Sequence, residues 1–300
     1  MLGIRANPPI RGLVGAGVCA LALWLPRAEA LFAPEADLWE RWAAHEPSSS
    51  EVIEHGEWDA FLSRYLVAHA DGVNRIAYAK VSDGDRRRLN EYLASLSVVP
   101  ISEFSRDEQR AYWINHYNAL TVDVVLDHYP VDTIRDISIS PGWFSVGPWG
   151  KKLVRVEGED ISLDDIEHRI LRPIWKDPRI HYAVNCASLG CPNLMPKAFT
   201  VANSESFLDQ GARDFINSAH GTGFDSEGRL YVSSIYDWFQ DDFGGDESGV
   251  IAHLGLYANP SLAAKLDGVT DVYGFDYDWT LNDAAPVKRS EERRAGSGQR

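Results

Sequence analysis

Arg106-Asp-Glu-Gln-Arg-Ala-Tyr-Trp-Ile-Asn-His-Tyr-Asn-Ala-Leu-Thr-Val-Asp-Val-Val-Leu-Asp-His128 is the stretch around which the rest of the chain has to fold. It opens with acidic residues and stops before Pro130, as a helix does. Its apolar residues (Ala111, Tyr112, Trp113, Ile114, Tyr117, Leu120, Val122, Val124, Val125) fall on nearly every face. A helix apolar all round is buried. Asn115, Asn118 and His116 then lie in the interior, where each unpaired polar group costs about 1–3 kcal/mol. Positions 115 and 118 share a face, so their amides suit a polar network that holds a loop or positions a substrate.

Working outward, apolar spacing of three and four predicts helices over Ala36–Ala44, Glu57–Ala70, Arg86–Leu96, Ser206–Ser218, Gly249–Tyr257 and Pro260–Leu266. Ser162-Leu-Asp-Asp165 reads as a capping box for a helix through Leu171, ended by Pro173. Lys152–Glu157, Ile180–Val184 and Leu230–Val232 read as strands, and Val269–Trp279 as extended chain. Ser138–Gly150 is a Gly/Pro/Trp loop, and residues 284–300 are polar and unpatterned, hence a disordered tail. With no internal boundary, these elements imply one helix-rich α+β domain with a small sheet, spanning residues 31–283. Tyr-Asp-Trp occurs at Tyr236–Trp238 and Tyr277–Trp279, two copies that do not amount to an architectural repeat.

The first 30 residues read as a cleaved export signal. Arg5 and Arg11 precede an uncharged stretch from Gly12 to Leu25, and Ala28-Glu-Ala30 offers a cleavage site. That stretch is shorter than the roughly 20 apolar residues a membrane crossing needs. The expected location is periplasmic or extracellular, with no membrane insertion after cleavage. Whole, the chain carries −15; its first 30 residues hold three arginines and one glutamate, so the remainder carries −17. Such an acidic surface repels phosphate backbones and anionic lipid, which argues against nucleic-acid binding. Cys19 leaves with the signal, leaving Cys186 and Cys191, which an oxidising compartment tends to pair.

Any chemistry centres on Arg179-Ile-His-Tyr-Ala-Val-Asn-Cys-Ala-Ser-Leu-Gly-Cys-Pro192. A nucleophilic cysteine needs a nearby base, and Cys186 has two candidates, His181 and His168. If Ile180–Val184 is a strand, His181 and Cys186 point to opposite faces, which favours His168. Glu167 either joins that cleft or pairs with a neighbouring arginine; Asn115, Asn118 or Glu167 would orient the base or stabilise an oxyanion, with Arg179 and Asn185 as binding residues. His168, His181, Cys186 and Cys191 are zinc-type ligands without zinc spacing, so neither a metal nor another cofactor is expected. Tryptophans beside carboxylates suit a glycan, although most of them lie among apolar neighbours and read as core.

Ala111–Leu120, Ile161–Arg172, Arg179–Pro192 and the closing Tyr277-Asp-Trp-Thr-Leu-Asn282 together resemble the domain-of-unknown-function family numbered 547, most closely over 106–217. The resemblance implies no established activity. Members fused to glutaredoxin-like modules associate it with thiol chemistry, and plant members often lack the second cysteine, which would make a Cys186–Cys191 disulfide optional to the fold. Three readings stand open. One is a thiol-dependent hydrolase or acyl transferase using Cys186 with a histidine. Another is a non-catalytic binding or scaffold module with a Cys186–Cys191 disulfide, and the third a thiol–disulfide redox protein. The partner in each is a small molecule, peptide or glycan.

Overall fold

Helix α3, Arg106–His128, forms over the range its pattern predicts, and seventeen of its residues are buried. Ser105 caps it by accepting a hydrogen bond from the Glu108 amide at 3.4 Å. Before it come α1 (Gly56–Tyr65) and α2 (Asp83–Ser97), the latter capped by Ser82. The computed structural model describes residues 33–142 and 145–285. The expected export signal, and all of the expected tail beyond residue 285, lie outside the described residues.

After α3 the chain makes a hairpin of β3 (Val154–Val156) and β4 (Glu159–Ile161), following an earlier pair, β1 (Leu66–Ala68) and β2 (Asn74–Ile76). Next is a π-helical turn, Asp165–Leu171, that runs on into α4, Arg172–Trp175. The Ser162 capping box is made: the Ser162 hydroxyl accepts from the Asp165 amide, and the Asp165 carboxylate accepts from the Ser162 amide at 2.8 Å. The second half of the chain holds α5 (Ser204–Ile216), α6 (Ile235–Trp238), α7 (Glu247–Tyr257) and α8 (Pro260–Leu266). These surround a three-stranded sheet in which β6 (Leu230–Ser233) pairs antiparallel with β5 (Thr222–Phe224) and parallel with β7 (Gly274–Asp276). The fold is α+β, with small sheets of two and three strands.

Four expectations need correcting. Ile180–Val184 is not a strand: Pro178–Tyr182 is a 3-10 helix, because the Asp177 carboxylate accepts from the Arg179 amide and Pro178 fixes φ in the first turn. The helix after Ser162 does not stop at Pro173: the His168 and Arg169 carbonyls that an N–H at 173 would otherwise reach accept from the Asp37 and Trp39 amides, and the chain leaves the helix at Lys176, φ +50°. Ala36–Ala44 contributes only a 3-10 turn, Glu40–Ala43. Its preceding backbone is extended because the Asp37 and Trp39 amides donate to the His168 and Arg169 carbonyls, each at 3.0 Å. The predicted helix Glu57–Ala70 ends at Tyr65, where the chain turns into β1.

Buried side chains form two apolar clusters. The larger wraps α3 with α1, α2 and the π-helical turn. A smaller one joins α5, α7 and the three-stranded sheet. Adjacent residues of the 3-10 helix serve different neighbours: Tyr182 belongs to the second cluster, while His181 turns to a cleft between the two.

Candidate functional site

That cleft has a volume of about 650 Å³. Tyr117 of α3, Glu167 and His168 of the π-helical turn, His181 and Cys186 all line it. Aromatic side chains from the second half of the chain, among them Trp238, Phe239, Tyr277 and Trp279, complete the wall.

One side carries a buried acid–base set. His181 stacks on Phe239 with ring centres 4.6 Å apart, and its Nε2 meets the Asp242 carboxylate at 2.7 Å. The Arg172 Nε donates to that same Asp242 oxygen at 2.6 Å. The other ring nitrogen of His181 faces Glu167 at 3.6 Å, and the Tyr117 hydroxyl also bonds to Glu167. Arg172 further donates to His168 Nδ1 at 3.0 Å. An imidazole accepting at Nδ1 is neutral and keeps its proton on Nε2. Here Nε2 lies 3.9 Å from Asp164 and 4.0 Å from Glu167.

Charge follows from these contacts. Burial, with Arg172 beside the ring, depresses the His168 pKa to about 4. Burial pushes Glu167 up, but the contact with His181 and the charge of Arg172 outweigh it, leaving the carboxyl below its ordinary range and ionised. Half-buried Asp164 is raised to about 7 by burial and by the negative Glu167 and Asp165. The cleft therefore offers a carboxylate, a neutral imidazole and a carboxyl group poised near neutrality.

The other side is built from the cysteine loop. Both cysteines are free in this structure, with their sulfurs 2.9 Å apart. Three groups meet Cys186 Sγ within hydrogen-bond distance: the Cys191 thiol, which donates at 2.9 Å, the Tyr277 hydroxyl at 3.0 Å and the Ser188 hydroxyl at 3.2 Å. Burial alone would raise the Cys186 pKa, yet these three bonds bring it below the usual thiol value. Cys191 moves the opposite way, driven well up by burial and by the neighbouring Cys186. Cys186 is accordingly the more acidic thiol of the pair and Cys191 the less acidic. Ala187, directly after Cys186, adopts φ +61°, a left-handed conformation that a non-glycine residue holds only when its surroundings impose it.

Those surroundings are the chain's far end. The Leu189 and Gly190 amides donate to the Thr280 and Asp278 carbonyls at 2.8 Å, and the Asn282 amide donates to the Ala187 carbonyl at 3.0 Å. Gly190 is required at this seam, since a Cβ there would sit 2.7 Å from the Asp278 nitrogen. The zipper places Tyr277 on the sulfur and Trp279 against Trp238, so the two Tyr-Asp-Trp tripeptides meet at the cleft, their indoles stacked 5.5 Å apart.

Cys186, His168, His181 and Glu167 thus share one cleft, although neither imidazole hydrogen-bonds the sulfur among the described residues. The remaining sequence candidates lie behind it. Asn115 uses its amide on the Phe199 backbone, at 2.8 and 2.9 Å. Asn118 holds the Ala183 carbonyl and the Asn185 amide, both at 2.8 Å. Asn185 braces the loop by donating to the Pro192 carbonyl and accepting from the Ala187 amide. Arg179 pairs with Asp177, Glu205 and Asp209 instead of lining the cleft. Sequence reasoning missed Tyr277, Ser188, Arg172, Asp164 and Asp242; the doubled Tyr-Asp-Trp was the one signal pointing to any of them. No cluster of His, Cys, Asp and Glu suited to a metal occurs among the described residues. Nor is any helix among them long and apolar enough to cross a membrane.

Residues 101–216 match the family model described as DUF547, protein of unknown function. This segment belongs to the DUF547 family. Neither a curated protein nor a solved structure matches the chain. The DUF547 match contains α3, the π-helical turn and both cysteines, whereas Trp238, Asp242, Tyr277 and Trp279 lie beyond it. Seven of the 23 residues lining the cleft are thus supplied from outside the DUF547 segment.

Proposed function

We propose that the protein is a thiol-dependent acyl-transfer enzyme, hydrolase or transferase, with Cys186 as nucleophile. The observation carrying this reading is the convergence of three hydrogen-bonding groups on a sulfur that lines a 650 Å³ cleft opposite Glu167 and His168. Donors aimed at a thiolate stabilise the reactive form. In the reaction Cys186 Sγ adds to a carbonyl carbon. The Tyr277 and Ser188 hydroxyls, 2.9 Å apart, are released from the sulfur as it loses charge and turn to the developing oxyanion. Asp164, whose carboxyl is raised to about 7, supplies the leaving group's proton, and water or an acceptor then releases the acyl group. Asn118 and Asn185 act as positioning residues for the loop. The aromatic lining favours a substrate with an apolar acyl part among the small-molecule, peptide and glycan partners considered. The N-terminal segment, read as an export signal, places this chemistry outside the cytoplasm.

The test is single-turnover acylation with p-nitrophenyl butyrate. Intact mass should show one butyryl adduct on the full chain, mapped to Cys186 and absent in Cys186→Ser. An adduct that persists in Cys186→Ser, or none on the wild type, sinks the reading.

A further inference from the structure

Cys191 has no task in acyl transfer beyond donating one hydrogen bond, and a serine would supply that. Its position is more specific than that role requires. It is buried, whereas Cys186 is open to the cleft, and its sulfur receives the Cys186 amide hydrogen at 2.9 Å while donating to the Cys186 sulfur. We propose that the two cysteines form a peroxide-reducing pair, with Cys186 attacking an organic hydroperoxide in the aromatic cleft and Cys191 resolving the product. This goes beyond the acyl-transfer reading and shares with it the nucleophilic Cys186, the two hydroxyls beside it and the cleft.

The chemistry balances as follows. The Cys186 thiolate attacks the outer peroxide oxygen; the O–O bond breaks, and the alkoxide leaves as an alcohol with a proton passed through the Tyr277 and Ser188 hydroxyls. Cys186 is now a sulfenic acid. Cys191 sulfur attacks the Cys186 sulfur, the S–O bond breaks, and hydroxide departs as water with the Cys191 proton. The two thiols lose two electrons and the peroxide gains them. An external thiol, two equivalents per turnover, restores the pair.

Three features fit this division of labour. Both cysteines line the cleft, Cys186 half-buried and Cys191 buried beside it with the sulfurs in direct contact, so no unfolding separates the two steps. Burial keeps Cys191 protonated until Cys186 has reacted, which preserves a single attacking thiolate. The two hydroxyls beside the sulfur are 2.9 Å from each other and can donate to the departing oxygen.

The experiment uses the full chain, reduced with dithiothreitol and desalted, with cumene hydroperoxide and hydrogen peroxide in parallel. Expected are the loss of both thiols, an intact mass lower by two hydrogens, and a Cys186–Cys191 linkage on mapping. In Cys191→Ser and in Cys191→Ala, a sulfenic acid on Cys186 should be trapped by dimedone, with no linkage. Oxidation should be on the order of tenfold or more faster than in the urea-unfolded chain, where Cys186 lacks its bonds to Cys191, Tyr277 and Ser188 and the aromatic cleft around it. Equal rates folded and unfolded, or persistence of both thiols, overturn the proposal; a preference for hydrogen peroxide over cumene hydroperoxide overturns the organic substrate. Butyryl acylation and peroxide oxidation are both read on the wild-type chain, so failure of one activity leaves the other standing.

Discussion

Tyr277 carries much of the site's electrostatics through one hydroxyl. It is 3.0 Å from Cys186 Sγ, and a hydrogen bond to a charged group contributes about 1.5–3 kcal/mol. Each 1.36 kcal/mol is about one pKa unit, so Tyr277→Phe should raise the Cys186 pKa by roughly 1–2 units. The check is the pH profile of iodoacetamide labelling, whose midpoint should move alkaline with little change in the urea midpoint. An unmoved profile would show that Tyr277 only packs. No reading confined to Arg179–Pro192 could find this residue, because the partner lies 91 positions away and spacing carries no information over such a distance. Glu167 and His168 were legible as chemistry-bearing types, but their partners were not. The Arg172 bond that fixes the His168 tautomer spans one turn of the same helix, and residue type alone does not say which ring nitrogen receives it.

At the level of elements, α3 was the most readable part of the molecule, since its apolar pattern is strong and its ends carry ordinary caps. The interior amides expected on it are present, and the network is specific: Asn115 grips Phe199, and Asn118 grips the backbone on the approach to Cys186. Asn118→Ala would leave two buried backbone groups without partners, a loss of about 2–4 kcal/mol in urea unfolding. Its effect on Cys186 labelling should exceed that of Asn115→Ala, whose contacts lie elsewhere; equal effects would argue against a positioning role for Asn118. The segment around His181 was least readable. Five residues of mixed character can be strand or 3-10 helix, and Pro178 with the Asp177 cap decided the matter locally. Gly190→Ala probes the seam between elements. Its Cβ would press on the Asp278 backbone and sit 3.1 Å from a Tyr277 ring carbon. Overpacking of this kind costs about 1–3 kcal/mol. It should also shift the labelling profile in the same direction as Tyr277→Phe.

For the whole molecule, four buried histidines set the response to acid. Burial depresses His55, His168 and His253 to about 4 and His116 to about 3, each from an ordinary value near 6.5. The unfolded chain therefore binds more protons than the folded one below pH 6.5, so the stability these groups contribute is complete above that pH and is lost as pH falls. Two carboxyls oppose the trend. Asp123 and Asp164, raised to about 6 and about 7, take up protons in the folded state first, although Asp164 keeps 39% of its side chain exposed and counts for less. A net difference of about two protons gives a loss of roughly 2.5 kcal/mol per pH unit between pH 6 and 5. Urea midpoints at those two pH values test this, and a flat or rising stability would contradict it. His116→Phe, which removes a ring with no partner on either nitrogen, should flatten the slope. The charge balance of the chain hinted at none of this, because it counts histidines as neutral and says nothing of where they lie.

The zipper between the cysteine loop and residues 277–282 also orders events in time. During synthesis at about 5–20 residues per second, Cys186 leaves the ribosome on the order of ten seconds before its tyrosine donor. Through that interval the thiol lacks both Tyr277 and the backbone bonds that hold Ala187 left-handed, and its reactivity is nearer that of an ordinary cysteine. An unfinished or prematurely ended chain is therefore chemically quiet, and nucleophilicity arrives only with the downstream segment that docks beside it.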